Sequence, residues 1–319
     1  MAKETEEKKK LKLALYWAAS CGGCEIAVLD INEKILFVVA NADILFWPVA
    51  MDVKYNDVEA MPDKHIDVCF FNGAIRTEEN EKMAKLLRQK SKILVAFGSC
   101  ANDGCVKGLA NLWDKDTVFE RAYIETPSTE NPESVMPKTR TKVKEGELEL
   151  PEIYDTVKTL LQTVDVDYTI SGCPPPVPVI LEMFNAFISG NIPSKGSSFL
   201  PNKSVCDVCP REKKDKQLSK IKRIYEIDDD GETCFWDQCV ICMGPATRAG
   251  CGAQCPIVNK PCTGCGGPGP NVIDQGAAAI SALASIATGP EVVKQVVDPI
   301  GTFYMYSLAN SILRRKEKK

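Results

Sequence analysis

The sequence predicts an α/β protein with a doubly wound parallel sheet, followed by an irregular cysteine-rich segment and closing helices. Short apolar runs alternate with amphipathic segments through the first part of the 319-residue chain, which is typical of a parallel sheet covered by helices on both faces. Nine of the 15 cysteines then crowd between Cys206 and Cys265 in a stretch without sustained periodicity. Helical patterns return after residue 271.

The elements of the first part follow one another in βα order. Strands are predicted at Leu11–Tyr16, Asp43–Trp47, Asp67–Ala74, Lys92–Phe97 and Asp167–Ser171. Helices are predicted from the turn after the first strand to about Ala40, then at Glu78–Lys90, Ile153–Val164 and Val179–Ser189. The polar, proline-containing stretch between Ile124 and Pro151 is expected to be an excursion loop.

Composition divides the chain into four segments. Residues 1–10 are a charged N-terminal segment, 11–195 the parallel-sheet domain, 196–270 the cysteine-rich domain, and 271–319 the C-terminal helices that pack on the rest. The boundary near 195 falls in a Gly-, Pro- and Ser-rich stretch. Two closing helices are predicted, at Ala277–Thr288 and Glu291–Arg315.

Charge and hydropathy exclude several classes of function. The net charge of -4 gives no indication of nucleic-acid binding. No apolar stretch approaches the roughly 18 residues of a membrane span, so no membrane insertion is expected. The charged start has no apolar segment behind it, which predicts a cytoplasmic protein whose thiols stay reduced and available to metals. His65 is the only histidine.

Four cysteines lie in turns that follow predicted strands. Cys21 and Cys24 (SCGGCE) come after the first strand, Cys100 (GSCA) after the fourth, and Cys173 (SGCPPP) after the last. Because the carboxyl ends of parallel strands share one edge of the sheet, these four thiols are expected to meet there.

The pair Cys21 and Cys24 is by itself also typical of a thioredoxin-like dithiol or a zinc knuckle. Neither alternative requires thiols at two other strand ends, so the pattern favours an iron–sulfur cluster with four thiolates. Gly22 and Gly23 would let backbone N–H groups approach the cluster.

The later cysteines are arranged in short pairs. They are Cys206 and Cys209, then Cys234, Cys239 and Cys242, then Cys251 and Cys255, and finally Cys262 and Cys265. Zinc ribbons use the same C-x2-C spacing. The glycine-rich character of the segment, and its position beside a predicted cluster, favour two four-iron clusters with one cysteine to spare.

The motifs SCGGCE, GSCA, GCPPPVP, CMGPATRAGC and PCTGC resemble those of the small subunits of nickel–iron hydrogenases, in particular the archaeal methyl-viologen-reducing, deazaflavin-independent type of methanogens. The resemblance covers nearly the whole chain. It implies a flavodoxin-like first domain.

The resemblance also implies three 4Fe-4S clusters, with no flavin and no nickel on this chain. Their ligands would be Cys21, Cys24, Cys100 and Cys173 for the proximal cluster, Cys251, Cys255, Cys262 and Cys265 for the medial cluster, and Cys206, Cys209, Cys234 and Cys242 for the distal cluster. Better-known relatives have a histidine at the place of Cys206 and often a proline at that of Cys255. An all-thiolate set is expected to lower the reduction potentials.

The function implied is electron transfer. Hydrogen would be split at a nickel–iron centre in a large subunit, and its electrons would leave through a small 2Fe-2S subunit to heterodisulfide reductase. The alternatives are a cluster-bearing subunit of a quinone-reductase-like complex and a zinc-stabilised scaffold protein without a redox role.

Several other residues carry weaker expectations. Cys239 is taken as the spare cysteine, while Cys69 and Cys105 are expected to pack in the core. Glu25 is interpreted first as an acid at a helix start, with a proton path as the alternative. Arg248 is expected either to screen a cluster or to lie on the surface.

Overall fold

A computed structural model describes residues 10–214 and 217–314 of the chain. Its strands are β1 (Leu11–Trp17), β2 (Ala42–Phe46), β3 (Ile66–Asn72), β4 (Ile75–Thr77), β5 (Ser91–Phe97), β6 (Arg140–Val143), β7 (Gly146–Glu149), β8 (Ile153–Lys158) and β9 (Tyr168–Ile170). Its α-helices are α1 (Gly23–Leu29), α2 (Ile35–Asn41), α3 (Tyr55–Ala60), α4 (Glu78–Lys90), α5 (Ser99–Asp103), α6 (Lys115–Glu120), α7 (Val177–Ser189), α8 (Gln254–Ile257), α9 (Gln275–Ile286), α10 (Pro290–Val293) and α11 (Pro299–Phe303). The predicted charged segment 1–10 lies outside the described residues except for Lys10.

Five strands form one sheet in the order β2-β1-β3-β5-β9. Every neighbouring pair is parallel, with Leu13 opposite Val68 in β1 and β3, and Val95 opposite Tyr168 in β5 and β9. The chain runs outward from β1 to β2 and then crosses back to β3, which is the flavodoxin-like order with a switch point between β1 and β3. The predicted fold class is confirmed.

Side chains of the strands alternate between two apolar layers, because successive residues of a strand point to opposite faces. Leu13, Phe70 and Phe97 lie in the layer covered by α1, α2 and α7. Tyr16 and Phe71 lie in the other, which is covered by α3, α4 and α5. Cys69 belongs to this second layer and is fully buried, so its expected packing role is confirmed, and burial raises the pKa of its thiol to about 12.

The prediction of a helix at Ile153–Val164 is wrong. Residues Ile153–Lys158 form β8, which pairs antiparallel with β4. Tyr154, Thr156 and Val157 have β-branched or aromatic side chains, which favour a strand once a partner is available. Asn111 completes the pairing, since its side chain accepts from the Val157 N–H at 2.7 Å and donates to the Val157 carbonyl at 2.9 Å.

The stretch expected to be an excursion loop contains a hairpin. Strands β6 and β7 pair antiparallel, and an ion pair between Arg140 and Glu149 at 3.0 Å joins their outer ends. All eight residues of the two strands are exposed. The hairpin therefore buries none of its own side chains within this chain.

The cysteine-rich segment contains short turns rather than long elements. Within the described part of residues 202–270, the only α-helix is α8, of four residues. The apolar side chains of this segment join those of the C-terminal part in a third core that includes Phe235, Met243, Leu283 and Phe303. The two parts of the chain thus share one interior.

One of the two closing helices has the predicted form. Helix α9 fits the prediction of Ala277–Thr288 to within two residues at each end. A single helix at Glu291–Arg315 is wrong: up to Arg314 the chain forms α10, α11 and a short turn at Leu308–Asn310. Pro299 prevents a continuous helix, because a proline disfavours helical backbone at the residue before it, here Asp298. The Asp298 side chain instead accepts the Gly301 N–H at 2.8 Å and caps α11. Arg315 itself lies outside the described residues.

None of the helices in residues 10–214 and 217–314 combines the length and the apolar character needed to cross a bilayer.

Phe70 joins the sheet to α7, with ring centroids 6.0 Å from Phe97, 5.4 Å from Phe184 and 5.9 Å from Phe187. We expect Phe70→Ala to reduce the free energy of unfolding by about 3–5 kcal/mol, because it leaves a cavity in a close-packed core. Anaerobic urea unfolding followed by circular dichroism measures this. Phe37→Ala, at a position 43% exposed, is the control and should cost far less. Equal losses in the two variants would contradict the packing described here.

Candidate metal centres

The first group of cysteines lies at the carboxyl edge of the sheet. Cys24 is in α1 directly after β1, Cys100 is in α5 directly after β5, and Cys173 follows β9. Burial, together with the nearness of Cys100, Cys173 and Cys21, raises the pKa of the Cys24 thiol. The four sulfurs therefore share one site. Ionisation of closely spaced buried thiols is unfavourable unless a cation compensates for it, which is the environment that a metal cluster satisfies.

Glycine backbone forms part of the wall of this site. A Cβ on Gly98 would lie 2.4 Å from the sulfur of Cys24, so residue 98 has no room for a side chain. Gly98 also has a φ of +87°, in the region that favours glycine. The glycine of the Gly-Ser-Cys motif is thus required by both space and backbone, and the backbone of residue 98 approaches the Cys24 sulfur directly.

Cys105 is a fifth cysteine at this site. Its buried thiol lies within hydrogen-bonding distance of the sulfurs of Cys100 and Cys173. These contacts lower the pKa of Cys100 and that of Cys173, and they raise the pKa of Cys105 itself. The sequence prediction that Cys105 packs in the core is incomplete, because its sulfur touches two of the four cysteines.

The backbone of Cys105 is held in an unusual conformation. Its φ of 51° and ψ of -158° are rare for a residue with a side chain. Its N–H donates to the Tyr306 carbonyl at 3.1 Å, so the C-terminal part of the chain fixes this turn. In the sequence, only Gly104 indicates this turn, because glycine is typical of turns and Gly104 lies between Cys100 and Cys105.

Lys107 is a cation that interacts with the cysteines of this group. Burial opposes its charge, but the thiols of Cys100, Cys105 and Cys21 raise its pKa overall. It also lies within hydrogen-bonding distance of Cys100. Lys107 thus supplies positive charge beside a site that would become strongly anionic when the thiols ionise.

A second group contains Cys206, Cys209, Cys234 and Cys242. A Cβ on Gly244 would lie 3.0 Å from the Cys206 sulfur and 3.6 Å from the Cys242 sulfur, so both sulfurs face the same bare glycine. Burial and the neighbouring cysteines of the group raise the pKa of Cys206 to about 12 and that of Cys242 to about 11.

Cys239 lies in the same segment as Cys234 and Cys242. Its φ is +68°, its carbonyl accepts the Lys222 N–H at 2.8 Å, and its side chain packs against the third core. The backbone bond and the packing therefore hold Cys239 in position.

A third group lies between the other two. Cys251, Cys255, Cys262 and Cys265 all line one cavity. Gly172 and Pro174, from the turn after β9, line the same cavity, so one wall comes from the sheet and the other from the cysteine-rich segment. Burial and Cys251 raise the pKa of Cys265 to about 11, and burial raises that of Cys262.

Each group offers at least four thiols. Within the described residues, no set of three or more His, Cys, Asp or Glu side chains is arranged to hold a single metal ion. A four-iron cluster makes a different demand, because each of its thiolates binds a separate iron. Four sulfurs per group, facing bare glycine or a cavity, fit that demand.

Glu25 and Arg248 lie at the edges of these groups. Glu25 is in the first turn of α1 but only 2% exposed, and it accepts hydrogen bonds from the Trp47 and Asn72 side chains. Burial raises its pKa in spite of those bonds. Arg248 lines the cavity of the third group and interacts electrostatically with Asp103; burial lowers its pKa. Arg248 is thus half-buried at the cavity rather than on the open surface.

Arg211 organises the cysteine-rich segment, and no local sequence pattern identifies it. Its guanidinium binds both carboxylate oxygens of Asp229, at 2.8 and 2.7 Å, and stacks over Phe235.

Arg211 also donates to the carbonyls of Thr233 and Pro256, at 2.8 and 3.1 Å. Thr233 and Pro256 adjoin Cys234 and Cys255, so one side chain ties the second group to the third. The bond from Arg211 lowers the pKa of Asp229 to about 2.

Comparisons with known proteins show the family of this chain. Residues 21–187, just over half of the chain, match the family of the NADH ubiquinone oxidoreductase 20 kDa subunit. The chain therefore belongs to a family of oxidoreductase subunits.

More particularly, it belongs to the family of iron–sulfur subunits of F420-non-reducing hydrogenases. It is 44% identical to the iron–sulfur subunit of the F420-non-reducing hydrogenase of Archaeoglobus profundus over 96% of this chain and 98% of that protein. It is 38% identical to a subunit of the F420-non-reducing hydrogenase of Methanothermobacter marburgensis over 98% of each chain. The resemblance found in the sequence is confirmed, and the chain is an electron-transfer subunit of a hydrogenase, an oxidoreductase complex. The 20 kDa family shares only its first part.

Breaking the Arg211–Asp229 pair should loosen the cysteine-rich segment selectively. Arg211→Met leaves a largely buried carboxylate without its partner, at a cost of about 3–5 kcal/mol. We expect limited proteolysis with mass spectrometry to find new cleavage within 202–270. The matched control is Arg88→Met, which removes an Arg88–Asp167 pair of 2.5 Å beside the sheet and should leave 202–270 resistant. Unchanged resistance of that segment in Arg211→Met would contradict the organising role.

Proposed function

We propose that this chain carries electrons from the oxidation of H2 through three 4Fe-4S clusters to a partner subunit. The observation that carries the proposal is the grouping of twelve cysteines into three sets of four. The first set would hold the proximal cluster, the third the medial cluster and the second the distal cluster, with the ligands that the family resemblance implies. A cluster bound at each of the three sets would accept and release one electron reversibly.

The residues around the first set support its role as the entry point. Cys21 and Cys173 are exposed while Cys24 and Cys100 are buried. A cluster held there would be covered by the sheet on one side and open to a partner on the other. The partner would be the large subunit with its nickel–iron centre, so nickel is assigned to another chain and no flavin to this one.

Ligand chemistry supports a low-potential chain of clusters. All twelve proposed ligands are thiolates, and anionic thiolates favour the oxidised state of iron more than a neutral imidazole does. His65, the only histidine, lies away from the cysteines and bonds to Lys12 through Nε2 at 3.1 Å. Such potentials suit delivery in the cytoplasm to a small 2Fe-2S subunit and, through it, to heterodisulfide reductase. Neither nucleic acid nor membrane insertion has a part in this proposal.

Metal analysis separates this function from that of a zinc-stabilised scaffold. We expect anaerobically purified protein to be brown and to contain roughly twelve iron and twelve sulfide, four of each per cluster. Nickel should be found only when the large subunit is bound. Colourless protein rich in zinc would exclude the proposal.

Two cysteine variants test the ligand assignment. Cys173→Ser should lose about four iron, one cluster's content, and should interrupt electron flow from the large subunit. Cys239→Ser is the matched control, because the same substitution at the spare cysteine should leave the iron content unchanged. Loss of four iron from Cys239→Ser would mean that Cys239, and not Cys242, is a distal ligand.

Lys107 provides a test of the electrostatics. Removing its positive charge in Lys107→Met should shift the proximal cluster to a more negative potential, since reduction adds negative charge beside it. Redox titration followed by EPR measures the potential. Lys85→Met, at an exposed lysine paired with Glu81 on α4, should leave it unchanged. A shift of equal size in both variants would count against a local effect of Lys107.

A further inference from the structure

Two amide–sulfur contacts connect the three cysteine groups in series. The backbone N–H of Cys173, in the first group, approaches the sulfur of Cys265 in the third, and the Ser99 hydroxyl, which donates to the Cys265 carbonyl at 2.6 Å, joins the same two segments. The backbone N–H of Cys262, also in the third group, donates to the sulfur of Cys242 in the second at 3.2 Å. Each link thus runs from the amide of one candidate ligand to the sulfur of a candidate ligand in the neighbouring group.

Ser99 holds both sides of the first link. Its hydroxyl accepts the Gly172 N–H at 2.9 Å and donates to the Cys265 carbonyl at 2.6 Å. Its own N–H donates to the Gly172 carbonyl at 2.9 Å. Ser99 is 1% exposed. One buried side chain therefore fixes the backbone that precedes Cys173 against the backbone of Cys265.

The second link is fixed by backbone alone. The Met243 N–H donates to the Cys262 carbonyl at 2.8 Å, next to the bond from the Cys262 N–H to the Cys242 sulfur. The two bonds run in opposite directions between the same two segments. They hold Cys262 and Cys242 in register without any side chain comparable to Ser99.

We propose that electrons pass between the sites through these two links, from Cys173 to Cys265 and from Cys262 to Cys242, and that Ser99 is the positioning residue of the first. This inference rests on the proposed function. Each step moves one electron: the cluster on the donor side is oxidised and that on the acceptor side is reduced by the same electron. No covalent bond forms or breaks and no proton moves. H2, oxidised in the large subunit, is the source of electrons.

The links have a second consequence for the acceptor groups. A hydrogen bond to a ligand thiolate stabilises the more negative, reduced state, so it raises the reduction potential of that site. The Cys173 N–H therefore favours arrival of an electron at the medial site, and the Cys262 N–H favours its arrival at the distal site. Loosening the first link should shift the potential of the medial site alone.

Ser99→Ala tests the proposal in the anaerobic complex with the large subunit. Oxidised complex is mixed with H2, freeze-quenched and followed by EPR, and iron is counted in the same samples. We expect unchanged iron, wild-type reduction of the proximal cluster, and several-fold slower reduction of the medial and distal clusters. Equilibrium titration should find the medial potential shifted to a more negative value. Ser99→Thr, which keeps the hydroxyl, should restore both properties.

Ser171→Ala is the matched control. Ser171 is also buried and adjoins Gly172, but its hydroxyl bonds to Asp103 at 2.9 Å and to Asn102 at 2.6 Å. It should behave as wild type. Equal slowing in both serine variants, or wild-type kinetics in Ser99→Ala, would overturn the inference while leaving the iron content, and so the proposed function, intact. Loss of iron in Ser99→Ala would also overturn it, because Ser99 would then hold the sites together rather than align them. A wild-type complex without iron would instead refute the proposed function itself.

Discussion

Hydrogen bonding between parallel strands at the carboxyl edge of the sheet sets the positions of the cysteine groups. The pairing of β5 with β9 continues past the strand ends, where the Gly98 N–H donates to the Ile170 carbonyl at 2.7 Å. The next bond in this series, from the Ser99 N–H to the Gly172 carbonyl, fixes the distance between the turns that carry Cys100 and Cys173. Because β1 ends at the same edge, Cys21 and Cys24 join them. The third group is anchored to that edge in turn, through Ser99 and Cys173.

The cysteine-rich segment is ordered in a different way. It lacks long helices and strands in its described part, and its apolar residues complete their core only with those of the C-terminal part. Arg211 connects segments that are distant in sequence, using donors in a planar arrangement that matches a carboxylate and several carbonyls at once. Metal binding would add to this order, since the free energy of binding a metal to a site absent from the unfolded chain is also free energy of folding.

Local patterns were predictable from the sequence, and distant pairing was not. The five sheet strands and helices α4, α7 and α9 follow from apolar periodicity, which is a property of neighbouring residues. Residues Ile153–Lys158 were misassigned because they become a strand only through β4 and Asn111, which lie far from them along the chain. Lys107 and Arg211 were missed, and the contacts of Cys105 were not foreseen, for a similar reason: nothing in their own neighbourhood indicates which sulfurs or carbonyls they contact.

Residue type and spacing were enough to reveal the chemistry: many thiols, a single histidine, and cysteines placed directly after three parallel strands. These features depend on residue type and spacing, so they can be read without coordinates. The way in which the groups are joined is visible only in the folded chain, because the amide–sulfur links and the Ser99 contacts connect residues up to 166 positions apart. Such contacts depend on the packing of the cysteine-rich segment against the sheet edge, and no local pattern encodes that packing.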